Sequence, residues 1–261
     1  MFGKKDVENF SIGQNPEIGS NVSITGPNGG RSKNIRIGHN CYIGDNVQIK
    51  CDNFSLGDYG RIHHNTTIHG SGDCIIGHNL WCGQYTILDC QGGLLIGDNC
   101  GIGAHSQLWS HIRYGDMLEG CKFETEKTME IGDDVWFVGH CIVSPIKAES
   151  KSMALVGSVI TKDMDYNTLY AGVPAKEING GTQFREVSLE EKLDKMIDYL
   201  AEHGATNIKI VESREEISED TSISYFNVSD RKYTQRLTSE ECSFMKFLLP
   251  TKAKFTPYEN N

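Results

Sequence analysis

His111 lies near the start of the run Trp109 to Glu130, whose loop also carries the carboxylates Asp116, Glu119, Glu124 and Glu126. An imidazole titrates near pH ~6.5 when unperturbed. Within hydrogen-bond reach of a hydroxyl it can take up the proton as the oxygen attacks. Residue type alone leaves His111 reading as an exposed loop histidine and does not choose a partner among the four acids. Further along, Trp136 is an aromatic wall in waiting, and Thr161, Lys162 and Lys176 offer a hydroxyl and two ammonium groups. A lysine ammonium suits phosphate as a point charge. Nine cysteines, an odd number with no CxxC pair, sit near repeat positions and read as small apolar fillers in a reduced protein.

These side chains hang on a sequence that counts in sixes. Aliphatic residues recur at Ile12, Ile18, Ile24; at Ile37, Ile43, Ile49; at Leu56, Ile62, Ile68; and at Ile96, Ile102, Leu108, many of them followed by Gly. A period of six fits neither a helix nor a free strand and marks a hexapeptide-repeat β-helix. Three hexapeptides make one coil of roughly 18 residues, with Gly or Asn at the bends tolerating conformations that a Cβ hinders. Coil starts at Ile37, Leu56, Ile76 and Ile96 imply an extra residue or two bulging at corners. The longer interruptions are Thr25 to Asn34 and Trp109 to Glu130, and loops of the second kind are usually functional or disordered. The aliphatic-Gly signature also lapses from Val143 to Leu155, where small Ala148 and Ala154 replace larger aliphatics.

Beyond Ile178 the composition changes. Ser188 with Glu191 reads as a capping box for a helix carrying Leu189, Leu193, Met196, Ile197 and Leu200, ended by Gly204. Asn207 to Val211, Ser222 to Val228 and Arg231 to Leu237 read as strands, and Ser239 as the cap of a short helix through Leu249. The expected organisation is a repeat domain over 1–178 and an α+β appendage over 179–261. The formal net charge of −10 argues against a nucleic-acid or anionic-membrane surface. The start, Met-Phe-Gly-Lys-Lys-Asp, lacks the apolar core of a signal peptide, and no run reaches the length of a membrane span, so a cytoplasmic protein is expected.

Ile131-Gly-Asp-Asp-Val-Trp136-Phe-Val-Gly139 resembles the "IGDNVWIGG" motif of left-handed β-helix acyltransferases. Gly157-Ser-Val-Ile-Thr161-Lys162-Asp163 resembles their "GSVVTKD", and Tyr170-Ala-Gly172-Val-Pro174-Ala-Lys176-Glu-Ile178 their terminal "AGVPAKEI". His111 is similar in place to their catalytic histidine. The resemblance covers residues 10–178 and is closest to the sugar and polysaccharide O-acetyltransferases. It implies a mainly β fold, a left-handed parallel β-helix, assembled as a homotrimer with sites between subunits. It implies acetyl-CoA as co-substrate, with no bound cofactor, and a carbohydrate acceptor such as a surface glycan or its precursor. In it His111 is the general base, Trp136 shapes the acceptor and thioester site, and Gly139 offers a backbone N–H. Ser158, Thr161, Lys162 and Lys176 fall where the family meets CoA, although Ser158 also reads as a corner residue. Two departures stand out: the Val143–Leu155 stretch needs one deleted residue after Pro145, and Phe137-Val138 replaces Ile-Gly, bulking up a corner.

Other readings remain open at this level. One is N-acetylation of a nucleotide-linked amino sugar; another is a non-catalytic scaffold. His64-Asn-Thr-Thr-Ile-His69-Gly70 is similar to a segment supplying two zinc ligands in γ-class carbonic anhydrases, with corner histidines as the plainer reading.

Overall fold

Stacking, rather than hairpin pairing, organises residues 7–178. In the computed structural model, which describes residues 6–258, the chain winds through three sheets of seven, nine and seven strands, parallel but for the ninth strand of the second. Each strand pairs in parallel with the one a full coil away, except that the last, Ala175–Glu177, folds back antiparallel on Leu169–Gly172. Ile37, Leu56, Ile76, Ile96 and Ile131 lie in register down the first sheet. Ile43, Ile62, Cys82, Ile102 and Phe137 descend the second. Ile49, Ile68, Leu88, Leu108 and Val143 descend the third. All of these are buried in one continuous core. The period of six is thus the spacing between successive inward side chains around a three-sided parallel β-helix. The N-terminal residues 1–5, part of the stretch read for a leader, lie outside the described residues.

The corners follow from backbone sterics. Asn40, Asn46, Asn79 and Asn99 all take positive φ, the left-handed region that Asn enters more readily than most residues. Asn also repays the corner sideways: Asn21 Nδ2 donates to Asn46 Oδ1 at 3.2 Å, and Asn46 Nδ2 to Asn65 Oδ1 at 3.2 Å. The cysteines are free, and eight of the nine are buried, which agrees with their reading as filler. Burial pushes the thiols of Cys41 and Cys82 up to about 12, which keeps them protonated and unreactive.

The stretch from Val143 to Leu155 is regular after all. Ile131 pairs with Ala148, Phe137 with Ala154 and Val143 with Ile160, each step one residue short of three hexapeptides. The single deletion read after Pro145 is that missing residue. Phe137 does not bulk up a corner; it points inward and is fully buried. Its neighbours in the file, Ala154 and then Tyr170, alternate small and large. Ala154 is therefore a volume compensation, because close-packed interiors tolerate neither a void nor an extra ring.

The long interruption is also ordered. Trp109 N still donates to Val143 O at 2.9 Å, so the coil runs on past Leu108. His111–Arg113 then pairs antiparallel with Glu124–Glu126, and the chain rejoins the first sheet at Met129–Ile131.

The chain divides into two compact units between Phe184 and Arg185. The first unit keeps residues up to Phe184 because Asn167 Nδ2 donates to Phe184 O at 2.9 Å and Phe184 N to Asn167 Oδ1 at 2.8 Å. In the second unit, helix α1 (Leu189–His203) is capped by Ser188, whose Oγ accepts from Glu191 N at 3.1 Å, and ends at Gly204 with φ +76°. The reciprocal half of the capping box is not made, since the Glu191 carboxylate pairs with Arg185 and Lys195 instead. Helix α2 (Ser239–Leu248) is capped by Thr238, one residue before the Ser239 expected: Thr238 Oγ1 accepts from Glu241 N at 3.2 Å. A four-stranded sheet that includes Ile208–Val211, Ser224–Asn227 and Lys232–Tyr233 completes this unit. Among the described residues, no helix is long and apolar enough to cross a membrane.

Candidate active site

The corner that follows the third sheet holds a buried carboxylate with two imidazoles on it. Asp89 ends the strand Ile87–Asp89 and is wholly without solvent contact. Its Oδ2 accepts from Ser110 N at 2.8 Å and Ser110 Oγ at 2.7 Å, and meets His111 Nδ1 at 2.8 Å. Its Oδ1 accepts from Gln91 N at 3.3 Å and lies 3.6 Å from His69 Nδ1. A charge taken out of water is costly unless paired and hydrogen-bonded, and this carboxylate is surrounded by donors.

The arrangement fixes the tautomer of His111. An ionised carboxylate only accepts, so the proton of the neutral ring sits on Nδ1 and the lone pair on Nε2. The His111 side chain is 27% exposed, so this ring is anchored within while still reaching solvent. Trp109 lines the same corner; its Nε1 donates to Gln107 Oε1 at 3.2 Å and its ring lies edge-on to His69, centroids 6.2 Å apart.

Asp89 is the residue that the sequence reading missed. It lies one coil upstream, and parallel register carries it to the corner where His111 leaves the coil. Among the described residues, none of the four loop acids is hydrogen-bonded to the His111 ring. Asp116 Oδ1 accepts from Leu118 N and Glu119 N within its own turn, while Glu124 and Glu126 pair with Arg113. The available signal was positional: Asp89 falls where the third-sheet strand meets its corner, in line with His69.

The other residues singled out divide into two groups. Thr161 and Lys162 are exposed and follow Val159–Ile160 at the same corner as His111, two coils on. Trp136, 42% exposed, stands on the second sheet, in register with Gly101 and Met153. Gly139, at the bend after that sheet, has φ +143°, and among the described residues its N–H has no hydrogen-bond partner. Lys176 is exposed on the last strand of the second sheet. One chain therefore keeps His111 and Trp136 on different faces of the prism. Ser158 is buried and its Oγ donates to Leu155 O at 2.6 Å, which makes it a corner residue rather than a ligand-facing one. His64 and His69 end at opposite edges of the third sheet, His64 against Tyr85 and His69 against Asp89.

No protein-family model matches the chain. Among solved structures it is similar to a hexapeptide-repeat-containing acetyltransferase from Vibrio cholerae O1 biovar eltor complexed with acetyl coenzyme A. That likeness has 20% identity, covers 57% of this chain and 72% of that one, and has a TM-score of 0.40. A maltose O-acetyltransferase from Clostridium difficile 630 is 27% identical over 55% of this chain and 70% of its own, with a TM-score of 0.36. A polysialic-acid-specific acetyltransferase is 20% identical over 76% and 99%, with a TM-score of 0.42. These are distant likenesses, and the chemistry has to come from the side chains at the corner itself.

Proposed function

We propose that this chain is an acetyl-CoA-dependent O-acetyltransferase that moves an acetyl group directly to a carbohydrate hydroxyl, with His111 as general base. The observation that carries the reading is the 2.8 Å contact between His111 Nδ1 and the buried Asp89 carboxylate. It leaves Nε2 as a free lone pair on an oriented ring, the requirement for deprotonating a weakly nucleophilic hydroxyl. As the acceptor oxygen attacks the thioester carbonyl, its proton passes to Nε2 and Asp89 stabilises the imidazolium. The tetrahedral intermediate then collapses, the C–S bond breaks, and the CoA thiolate leaves, taking the proton back from Nε2. No acyl-enzyme is needed, in keeping with the burial of most of the cysteines.

The remaining roles are assigned by position. The free Gly139 N–H suits the developing oxyanion. Lys162 and Lys176 suit the phosphates of CoA as point charges, with Thr161 beside them. Trp136 walls the acceptor and thioester site. Because Trp136 and Gly139 lie on a different face from His111, a complete site takes one face from each of two copies, in a homotrimer. The test is release of CoA thiol from acetyl-CoA against a panel of sugars and oligosaccharides. Turnover with hydroxyl acceptors, lost by about 10²–10⁴-fold in His111→Ala, is expected. Turnover with amino sugars alone would transfer the proposal to N-acetylation, and unchanged activity in His111→Ala would remove the base.

A further inference from the structure

The proposed mechanism uses one of the two imidazoles beside Asp89 and leaves His69 without a task. His69, Asp89, Trp109, Ser144 and Thr161 form one file along the edge of the third sheet, each just beyond an inward residue. Thr161 and Lys162, the groups suited to the donor, lie two coils from Trp109 on one side, and His69 lies two coils from it on the other. The His111 ring leans to the His69 side, because its Nδ1 reaches back one coil to Asp89 at 2.8 Å. With the donor on the Thr161 side, the room left for the acceptor is beside His69.

His69 does little for the carboxylate itself. Its Nδ1 lies 3.6 Å from Asp89 Oδ1, beyond hydrogen-bond distance, while Ser110, Gln91 and His111 supply Asp89 with its partners. With Nδ1 turned to the buried carboxylate, Nε2 occupies the far edge of the ring, as it does in His111. The His69 side chain is 35% exposed, and among the described residues its Nε2 has no hydrogen-bond partner. A shield that only kept water from Asp89 would have no need of a bare nitrogen on its outer edge. Cys90, next along the chain, faces the core, where hydrogen bonds from the Cys51 and Cys74 thiols pull its own pKa below the usual thiol range. It has no solvent contact and cannot meet a ligand.

Given the function proposed above, on which this rests, we infer that His69 is a substrate-contacting residue that sets acceptor specificity. Its Nε2 hydrogen-bonds a second hydroxyl of the acceptor while His111 Nε2 takes the proton of the first. Both rings turn Nδ1 to one carboxylate, so their outer nitrogens serve one ligand. The 3.6 Å gap leaves the His69 tautomer free, and Nε2 then donates or accepts according to the tautomer. A hydroxyl answers either sense, being donor and acceptor at once, whereas an ammonium only donates. The acceptor class is therefore a sugar ring with a further hydroxyl close to the one acetylated, rather than a lone alcohol or an amine. Trp109, half-buried beside His69 with centroids 6.2 Å apart, offers an apolar surface to the C–H face of such a ring.

An acceptor found in the thiol-release panel is compared with its monodeoxy analogues in the wild-type protein, in His69→Leu and in His69→Gln. His69→Leu should raise the KM for the acceptor about 3–10-fold and leave the KM for acetyl-CoA unchanged. In the wild type one monodeoxy analogue should show the same loss, and His69→Leu should no longer tell that analogue from its parent. His69→Gln, whose amide reaches the place of Nε2, should recover most of the wild-type KM. Discrimination among the analogues that persists unchanged in His69→Leu overturns the inference. So does a fall in kcat alone, the mark of a disturbed Asp89. The contact is also read without turnover and without a variant, from the His69 imidazole signals of the wild-type protein in NMR spectra with CoA and a series of methyl glycosides. A His69 signal that moves with a glycoside, in a protein that acetylates none of them, keeps the contact and sinks the acyl transfer. A His69 signal unmoved by every glycoside overturns the inference.

Discussion

Asp89 is useful because its surroundings deny it water and supply it with donors. Ser110 gives two hydrogen bonds, Gln91 one, and His111 one, so the carboxylate is held before any substrate arrives. In Asp89→Asn an amide replaces the acceptor. Its N–H facing Nδ1 favours the tautomer with the proton on Nε2, where the base must be free. We expect kcat to fall by about 10²–10⁴-fold with the KM for acetyl-CoA little changed, and steady-state kinetics on the variant check this. A variant turning over at the wild-type rate would mean that the carboxylate does not orient the base. His111 was visible in the sequence as a residue out of step with the repeat. Asp89 was not, because it sits in step, on an ordinary strand, and differs from other outward residues only in what the next coil lays over it.

At the scale of the element, the coil is the unit, and its interior is matched by volume across coils. The file Ile102, Phe137, Ala154, Tyr170 sets a ring against a methyl and then against another ring. Phe137→Ala removes a fully buried ring opposite a residue already reduced to a methyl, so the hole cannot be filled from below. The expected loss is about 3–5 kcal/mol, read from urea unfolding. Ala154→Leu should cost about 1–3 kcal/mol by overpacking. A loss below about 1 kcal/mol for Phe137→Ala would show that the last coils repack freely. The sequence read these coils as degraded because Ala148 and Ala154 break the aliphatic count; in register they continue it.

Across the whole molecule, two sets of residues face different ways. His111, Asp89, Thr161 and Lys162 belong to the corner after the third sheet; Trp136, Gly139 and Lys176 belong to the second sheet and its bend. If each site draws one set from each of two copies, two crippled variants should rescue each other. Mixing His111→Ala and Trp136→Ala chains in equal amounts, unfolded together and refolded, should restore about one quarter of wild-type activity in random cyclic trimers. No recovery from such a mixture would place the whole site on one chain. The period of six, the corner residues, the interruption at His111 and the capped helix after Ser188 were all legible along the chain, since each depends on neighbours within a few positions. The pairing of His111 with Asp89, the approach of His69 to the same carboxylate and the match of Phe137 to Ala154 were not. Those contacts join residues a coil apart, and the number of residues in a coil varies with its bulges and deletions, so only the stacked structure decides which side chains meet.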